Sequence, residues 1–201
     1  MMKLILASNN NKKMAELRDI LADLPVEILS QREAGCDFEV EETGTTFEEN
    51  AFLKAEAVAR ATGLAAIADD SGLMVDALGG EPGVYSARYT GSHDATDRER
   101  YEFLLKKLGD EENRAARFVS CICCILPDGG RIDTRGECPG EILFAPRGEG
   151  GFGYDPVFMP EGFSTSMAEL GTEVKNRISH RARALEKFKQ QLKEYMNGTD
   201  K

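Results

Sequence analysis

The chain has 201 residues, 41% hydrophobic and 30% charged, which is enough apolar material for one domain or for two small lobes sharing a core. Its net charge of −10 disfavours a DNA or RNA backbone as the main partner, and no apolar stretch approaches the ~20 residues that span a bilayer. Five cysteines, three of them in Cys121-Ile122-Cys123-Cys124, lack zinc-site spacing and any regular disulfide framework, so reduced buried thiols in the cytoplasm are expected.

Met1 to Ser8 carries one cation and a short apolar run, too little for a signal peptide, and predicts a strand over Lys3 to Ala7. Ser8-Asn9-Asn10-Asn11-Lys12-Lys13 is the loop after it. Met14, Leu17, Leu21 and Leu24 then recur at helical spacing. Free N–H groups at the helix start, the helix dipole and a lysine all favour an anion there, although an Asn-rich start is equally a plain helix cap. The loop is not a Walker motif, since it has no glycine and no Gly-Lys-Ser/Thr ending.

Val26 to Leu29 suits a second strand, and Gly35 to Gly44 is acidic and irregular. Thr45 and Thr46 each have a glutamate three residues on, a doubled capping-box signal for a helix that runs to Thr62 and stops at Gly63. Phe47, Asn50 or Ala51, Lys54 and Val58 share one face of it. Lys54 therefore points among apolar residues, where its ammonium either snorkels to water or meets an anion.

The apolar run Leu64 to Ala68 leads into Asp69-Asp70-Ser71-Gly72. A buried strand ending in a sharp turn at Gly72 is expected. Two adjacent carboxylates repel unless one is protonated or a cation separates them, which points to a hard divalent metal; an Asx turn is the plainer alternative.

Glycines and Pro82 mark tight turns between Leu78 and Gly83, and Arg88 emerges from apolar neighbours. Thr96 with Glu99 caps a helix whose buried face is Tyr101, Leu104, Leu105 and Leu108. Ala115 to Leu126 is a long apolar strand, turned back at Pro127-Asp128-Gly129-Gly130 into a second over Arg131 to Cys138, with a further short strand over Glu141 to Ala145. In Gly148 to Pro156, glycines surround Phe152 and Tyr154. Such a loop lets the backbone approach a ligand and offers faces to a planar base, or it is a hairpin loop with core-facing aromatics. Ser166 with Glu169 marks a short helix. Lys175 to Arg181 leads into a last helix with Ala182, Leu185, Phe188 and Leu192 on its apolar face. Cations at a helix start oppose the dipole by about 0.3–1 kcal/mol each, so these are solvated or meet an anion. The tail Asn197 to Lys201 is expected to fray.

Five stretches together resemble the inosine triphosphate pyrophosphatase family, the RdgB/HAM1-like pyrophosphatases of noncanonical purine nucleoside triphosphates. They are Thr46-Phe47-Glu48-Glu49-Asn50-Ala51 through Lys54, Ala68-Asp69-Asp70-Ser71-Gly72, Leu78-Gly79-Gly80 through Tyr89, Gly151-Phe152-Gly153-Tyr154-Asp155-Pro156, and Ser179-His180-Arg181. They occur in the family's order and cover essentially the whole chain. One departure is Ser8-Asn9-Asn10, where the family commonly has Thr-Gly-Asn. The resemblance implies an elongated α/β fold, a mixed sheet flanked by helices, as a single domain of two lobes with the active cleft between them, and a homodimer. It implies hydrolysis of inosine or xanthosine triphosphate, or their deoxy forms, to the monophosphate and pyrophosphate. It implies Mg2+ held by Glu42 and Asp70 (with Glu41 the competing choice), and Asp70, Lys54 and Asp69 as catalytic residues. Ser8, Asn9, Asn10, Asn11, Lys12, Lys13 and Ser71 would hold phosphates, and Phe152, Gly153, Tyr154, Asp155, Lys175, His180 and Arg181 the rest of the nucleotide. Two alternatives stay open: a house-cleaning pyrophosphatase for other modified nucleotides, and a nucleotide sensor without catalysis.

Overall fold

The computed structural model describes residues 1–92 and 94–199. In chain order its elements are β1 (Met2–Leu6), α1 (Asn11–Ile20), β2 (Val26–Ser30), α2 (Phe47–Thr62), β3 (Ala65–Val75), α3 (Asp97–Leu108), β4 (Ala115–Ile125), β5 (Arg131–Ile142), β6 (Phe158–Pro160), α4 (Thr172–Ile178) and α5 (His180–Thr199), with short 3-10 turns between. The strands form one six-stranded sheet in the order β2-β1-β3-β4-β5-β6. It is mixed: β1 runs parallel to β2 and to β3, whereas β5 and β6 are antiparallel. The fold is the expected α/β class.

The chain divides into two compact units. The first comprises Met1–Asp70, Ser120–Gly136 and the segment from Arg181 onward; the second comprises Ser71–Val119 and Glu137–His180. In the first, strand alternation sorts the apolar residues onto two faces. Leu4, Leu6, Ala65 and Ile67 pack with Met14, Leu17 and Leu21 of the α1 segment and with Ala184, Leu185, Phe188 and Leu192 of α5. Ile5, Ala7, Ala66 and Ala68 pack with Ala51, Ala55 and Val58 of α2. The helix faces read from spacing are the buried ones. Helix α2 starts on a complete capping box between Thr46 and Glu49 and stops at Gly63 in the left-handed conformation. The second unit has its own core, where Leu73 and Val75 meet Leu104, Leu108, Phe118, Cys138, Ile142 and Phe158.

Four expectations change. The central strand does not end at the acidic pair: β3 continues through Asp69-Asp70-Ser71-Gly72 to Val75, and Gly72 is not left-handed. Its apolar alternation resumes at Leu73 and Val75, which are buried. Glu141 and Ile142 are not a separate strand but the end of β5, which runs through Pro139-Gly140. A glycine is required there, because a Cβ at residue 140 would lie 2.2 Å from the Met159 carbonyl oxygen of the pairing strand. Strand β6 and helix α4 are additions. Residues Asn197 to Thr199, expected in a frayed tail, extend α5, and residues 200 and 201 of that tail lie outside the described residues. The predicted hairpin is present, with β4 and β5 neighbours in the sheet and the Leu126 N–H donating to the Gly130 carbonyl at 2.8 Å.

Candidate active site

Because β3 continues as a strand, Asp69 and Asp70 point to opposite faces of it and do not form a pair. Each has its own surroundings within the first unit.

Asp70 is on the α2 face. Lys54 donates from Nζ to Asp70 Oδ1 at 2.9 Å and to Glu42 Oε1 at 2.7 Å, and also to the Asp69 carbonyl at 3.1 Å. Asn50 Nδ2 donates to Asp70 Oδ2 at 3.4 Å. The acidic neighbour of Asp70 is thus Glu42; Glu41 is exposed. Burial pushes the Asp70 carboxyl above its ordinary value, with Lys54 restraining the rise and Glu42 adding to it. Burial works the other way on Lys54, but Asp70 and Glu42 outweigh it and hold the ammonium above the usual lysine value. This supplies the anionic partner that the lysine's position on an apolar helix face demanded.

Asp69 is on the α1 and α5 face, and both its oxygens are engaged. Oδ1 accepts from Ser120 Oγ at 2.6 Å, and Oδ2 accepts from Arg181 Nε and Lys13 Nζ, each at 2.9 Å. Arg181 also donates to Glu16 Oε2 at 2.8 Å. Burial opposes the Asp69 charge, yet Lys13 and Arg181 reverse this and hold the carboxyl far below the usual range. Arg181, a cation at a helix start, is buried, and the chain's own carboxylates receive it. Glu16 and Ser120 were not singled out from sequence. The available signals were the i,i+3 placement of Glu16 after Lys13 and a lone hydroxyl within an apolar strand.

The loop after β1 is built as a cap. Asn10 Oδ1 accepts the N–H groups of Lys12 and Lys13, and Ser8 Oγ accepts that of Asn10. Those amides are therefore used internally, and Lys13 is the cation that reaches the cluster. Asn9, Asn10, Asn11 and Lys12 are exposed; Ser8 is half-buried, as is Ser71, which follows Asp70 in β3 and belongs to the second unit.

The second unit holds the remaining candidates. Lys175 Nζ donates to Asp155 Oδ2 at 2.6 Å and lies 5.4 Å from the centroid of the Phe152 ring. Asp155 Oδ2 also accepts the Phe152 N–H at 3.0 Å, and Asp97 Oδ2 accepts the Gly153 N–H at 2.7 Å. Phe152 is 39% exposed and presents a ring beside a cation. Tyr154 does not offer a face: it is in the core, its hydroxyl donating to the Ser86 carbonyl at 2.8 Å. His180 stacks on Phe118, centroids 5.0 Å apart.

Among the described residues no group of three or more His, Cys, Asp or Glu side chains is gathered for a metal. Glu42 and Asp70 form the set that could hold one, two hard oxygen donors around one cation. That set suits Mg2+, which takes one or two carboxylates and completes its shell with water and substrate phosphates.

The Ham1 family model matches residues 4–191. A dITP/XTP pyrophosphatase of Deinococcus deserti is 50% identical, covering 91% of this chain and 86% of the relative, and one of Streptomyces avermitilis is 49% identical, covering 92% and 94%. The solved structure of a HAM1 protein from Coxiella burnetii superposes with a TM-score of 0.91 at 42% identity, covering 96% of this chain and 100% of that one. The Ham1 protein of Staphylococcus aureus gives 0.89 at 44% identity, covering 96% and 99%. With sequence, family model and fold in agreement over nearly its full length, the chain belongs to the Ham1 family.

Proposed function

We propose that this chain, a nucleoside triphosphate pyrophosphatase, hydrolyses the triphosphates of inosine and xanthosine and their deoxy forms to the monophosphate and pyrophosphate, and so clears deaminated purines from the nucleotide pool. The observation that carries the reading is Lys54 held between Glu42 and Asp70, at 2.7 and 2.9 Å. A carboxylate within reach of the attacking water can serve as its general base. In this mechanism water attacks the α-phosphorus, Asp70 takes its proton, and the bond to the bridging oxygen breaks as pyrophosphate leaves. Lys54 stabilises the charge that develops on the phosphate oxygens. Mg2+ held by Glu42 and Asp70 would offset the repulsion between an acidic site and a polyanion.

Asp69 acts differently from Asp70. With both oxygens engaged it keeps Lys13 and Arg181 in place, and Lys13 with the Ser8 loop and Ser71 serves the phosphates. Base recognition is assigned to Phe152 and Gly153, with Asp155, Lys175 and His180 as its supports. Selectivity for a 6-keto purine follows where donors meet O6, because an amino group there leaves them unpaired. The chain is read as a cytoplasmic homodimer, and five buried cysteines outside any disulfide suit a reducing compartment.

The test is pyrophosphate release from inosine triphosphate with and without Mg2+, beside guanosine triphosphate. Metal-dependent release favouring inosine is expected, with Asp70→Ala folded and inactive. Near-normal turnover by Asp70→Ala removes this mechanism, and equal rates on both nucleotides remove the base selection.

A further inference from the structure

Asn50 has no part in that mechanism, yet it is fully buried beside it. A buried primary amide is unfavourable unless its groups are paired, so its partners indicate why it is tolerated. Its Oδ1 accepts the Gly44 N–H at 2.8 Å, and its Nδ2 donates to Asp70 Oδ2 at 3.4 Å. Lys54 lies four residues further along α2, on the same face. It takes the other oxygen of Asp70, at 2.9 Å, and reaches Glu42 in the segment that also carries Gly44. Two side chains one helical turn apart thus each make one bond to Asp70 and one to the acidic segment.

That segment is fastened where it joins the helix. Glu49 Oε2 accepts the N–H groups of Thr45 and Thr46 at 2.6 and 3.2 Å. At Gly44 the fit is close: a Cβ there would lie 2.7 Å from Asn50 Oδ1 and 2.7 Å from Glu49 Cβ. Only a residue without a side chain leaves the amide in place.

We propose that Asn50 is a positioning residue for the reaction. Through Asp70 it fixes the rotation of the carboxylate, so that Oδ1 and Oδ2 face different partners; through Gly44 it fixes the segment that delivers Glu42 two residues earlier. The inference rests on the reading of Glu42 and Asp70 as the metal-binding pair. Lys54 supplies charge to both, and Asn50 supplies direction.

The experiment compares wild type, Asn50→Ala and Gly44→Ala. Folding is checked by circular dichroism, Mn2+ affinity is measured by electron paramagnetic resonance without nucleotide, and kcat and KM come from pyrophosphate release at saturating Mg2+. Groups that orient metal ligands typically alter affinity or activity by about 10–100-fold, so Asn50→Ala should bind Mn2+ at least ~10-fold more weakly. Its kcat should fall by a similar factor while KM moves by less than ~3-fold, the pattern of a lost transition-state interaction. Gly44→Ala, which pushes the same amide from the segment side, should change both in the same direction. Wild-type Mn2+ affinity and kcat in a folded Asn50→Ala overturn the inference while leaving the proposed function standing. If Asn50→Ala does not fold, a folded Gly44→Ala with wild-type values overturns it equally. A wild-type chain that releases no pyrophosphate removes the proposed function, and the Mn2+ comparison still decides on Asn50. A wild-type chain that binds no Mn2+ removes the metal reading and this inference with it.

Discussion

Asp69 and Asp70 are neighbours in sequence with opposite electrostatic situations, and one substitution applied to each separates them. Asp69 is the ionised anchor for Lys13 and Arg181, all three largely buried. Removing one member of a buried ion pair leaves uncompensated charge, so Asp69→Asn should lose about 3–5 kcal/mol of stability in urea denaturation. Asp70→Asn leaves Lys54 its contact with Glu42 and relieves the burial that works against the Asp70 charge. It should unfold close to wild type and lose turnover. Equal destabilisation by both would contradict the division into support and chemistry. Two adjacent carboxylates after an apolar run are legible in the sequence, as is the expectation that one supports and the other reacts; their placement on opposite faces of a continuing strand is not. A strand that ends in a turn lets adjacent carboxylates face each other; a strand that continues does not, and Gly72 was read as the turn. Lys54 was legible because an ammonium among apolar positions demands a partner. Asn50 at the same spacing raised no such demand, since an uncharged amide fits many surroundings.

Elements with end signals written in side chains were readable, and those without were not. Thr46, Thr96 and Ser166 each close a capping box with a glutamate three residues on, and each begins a helical segment where that pattern places it. Helix α4 starts after Gly171 with no side-chain cap bond, and β6 has three residues, so neither left a periodic trace. Pro139-Gly140 looked like a break in β5, whereas Gly140 is there to let β6 come close. Thr46→Ala should lower stability by about 1 kcal/mol, seen as a drop of about 2–4 °C in Tm, because α2 loses one of its two reciprocal cap bonds. Helix α5 is tied down elsewhere: Lys189 and Lys193 donate to Asp23 at 2.6 and 3.0 Å. Hydrogen bonds from Lys189 and then Lys193 hold the Asp23 carboxyl at about 2, below its usual 3.8. A depressed carboxylate stabilises the fold above its unfolded value, and that contribution is lost as pH falls through the folded one. Asp23→Asn should therefore lower Tm by only about 1–2 °C at neutral pH, as solvent screens the pair, and the difference should vanish as pH approaches 2. A difference that grows in acid would have the wrong sign.

At the scale of the whole molecule, the cysteines report on its integrity. All five are buried and none is in a disulfide. Cys36 and Cys123 lie in the core on the α2 face of the first unit and Cys124 in the core on its other face, whereas Cys138 lies in the core of the second unit. The thiolate is the reactive form, and burial suppresses it: Cys123 is pushed up to about 12, and Cys121 and Cys124 are raised by burial as well. For these three, access and ionisation fail together in the folded state, and neither recovers without opening a core. The native protein should react with an aromatic disulfide reagent far more slowly than a free thiol, and in denaturant all five groups should titrate. Because the first unit holds four of these residues and the second holds Cys138, mass spectrometry of partly labelled protein assigns any early reaction to one unit. Rapid labelling of Cys121 or Cys124 under native conditions would mean that β4 is not the packed strand described, and Ser120, which holds Asp69 from that same strand, would lose its place in the site.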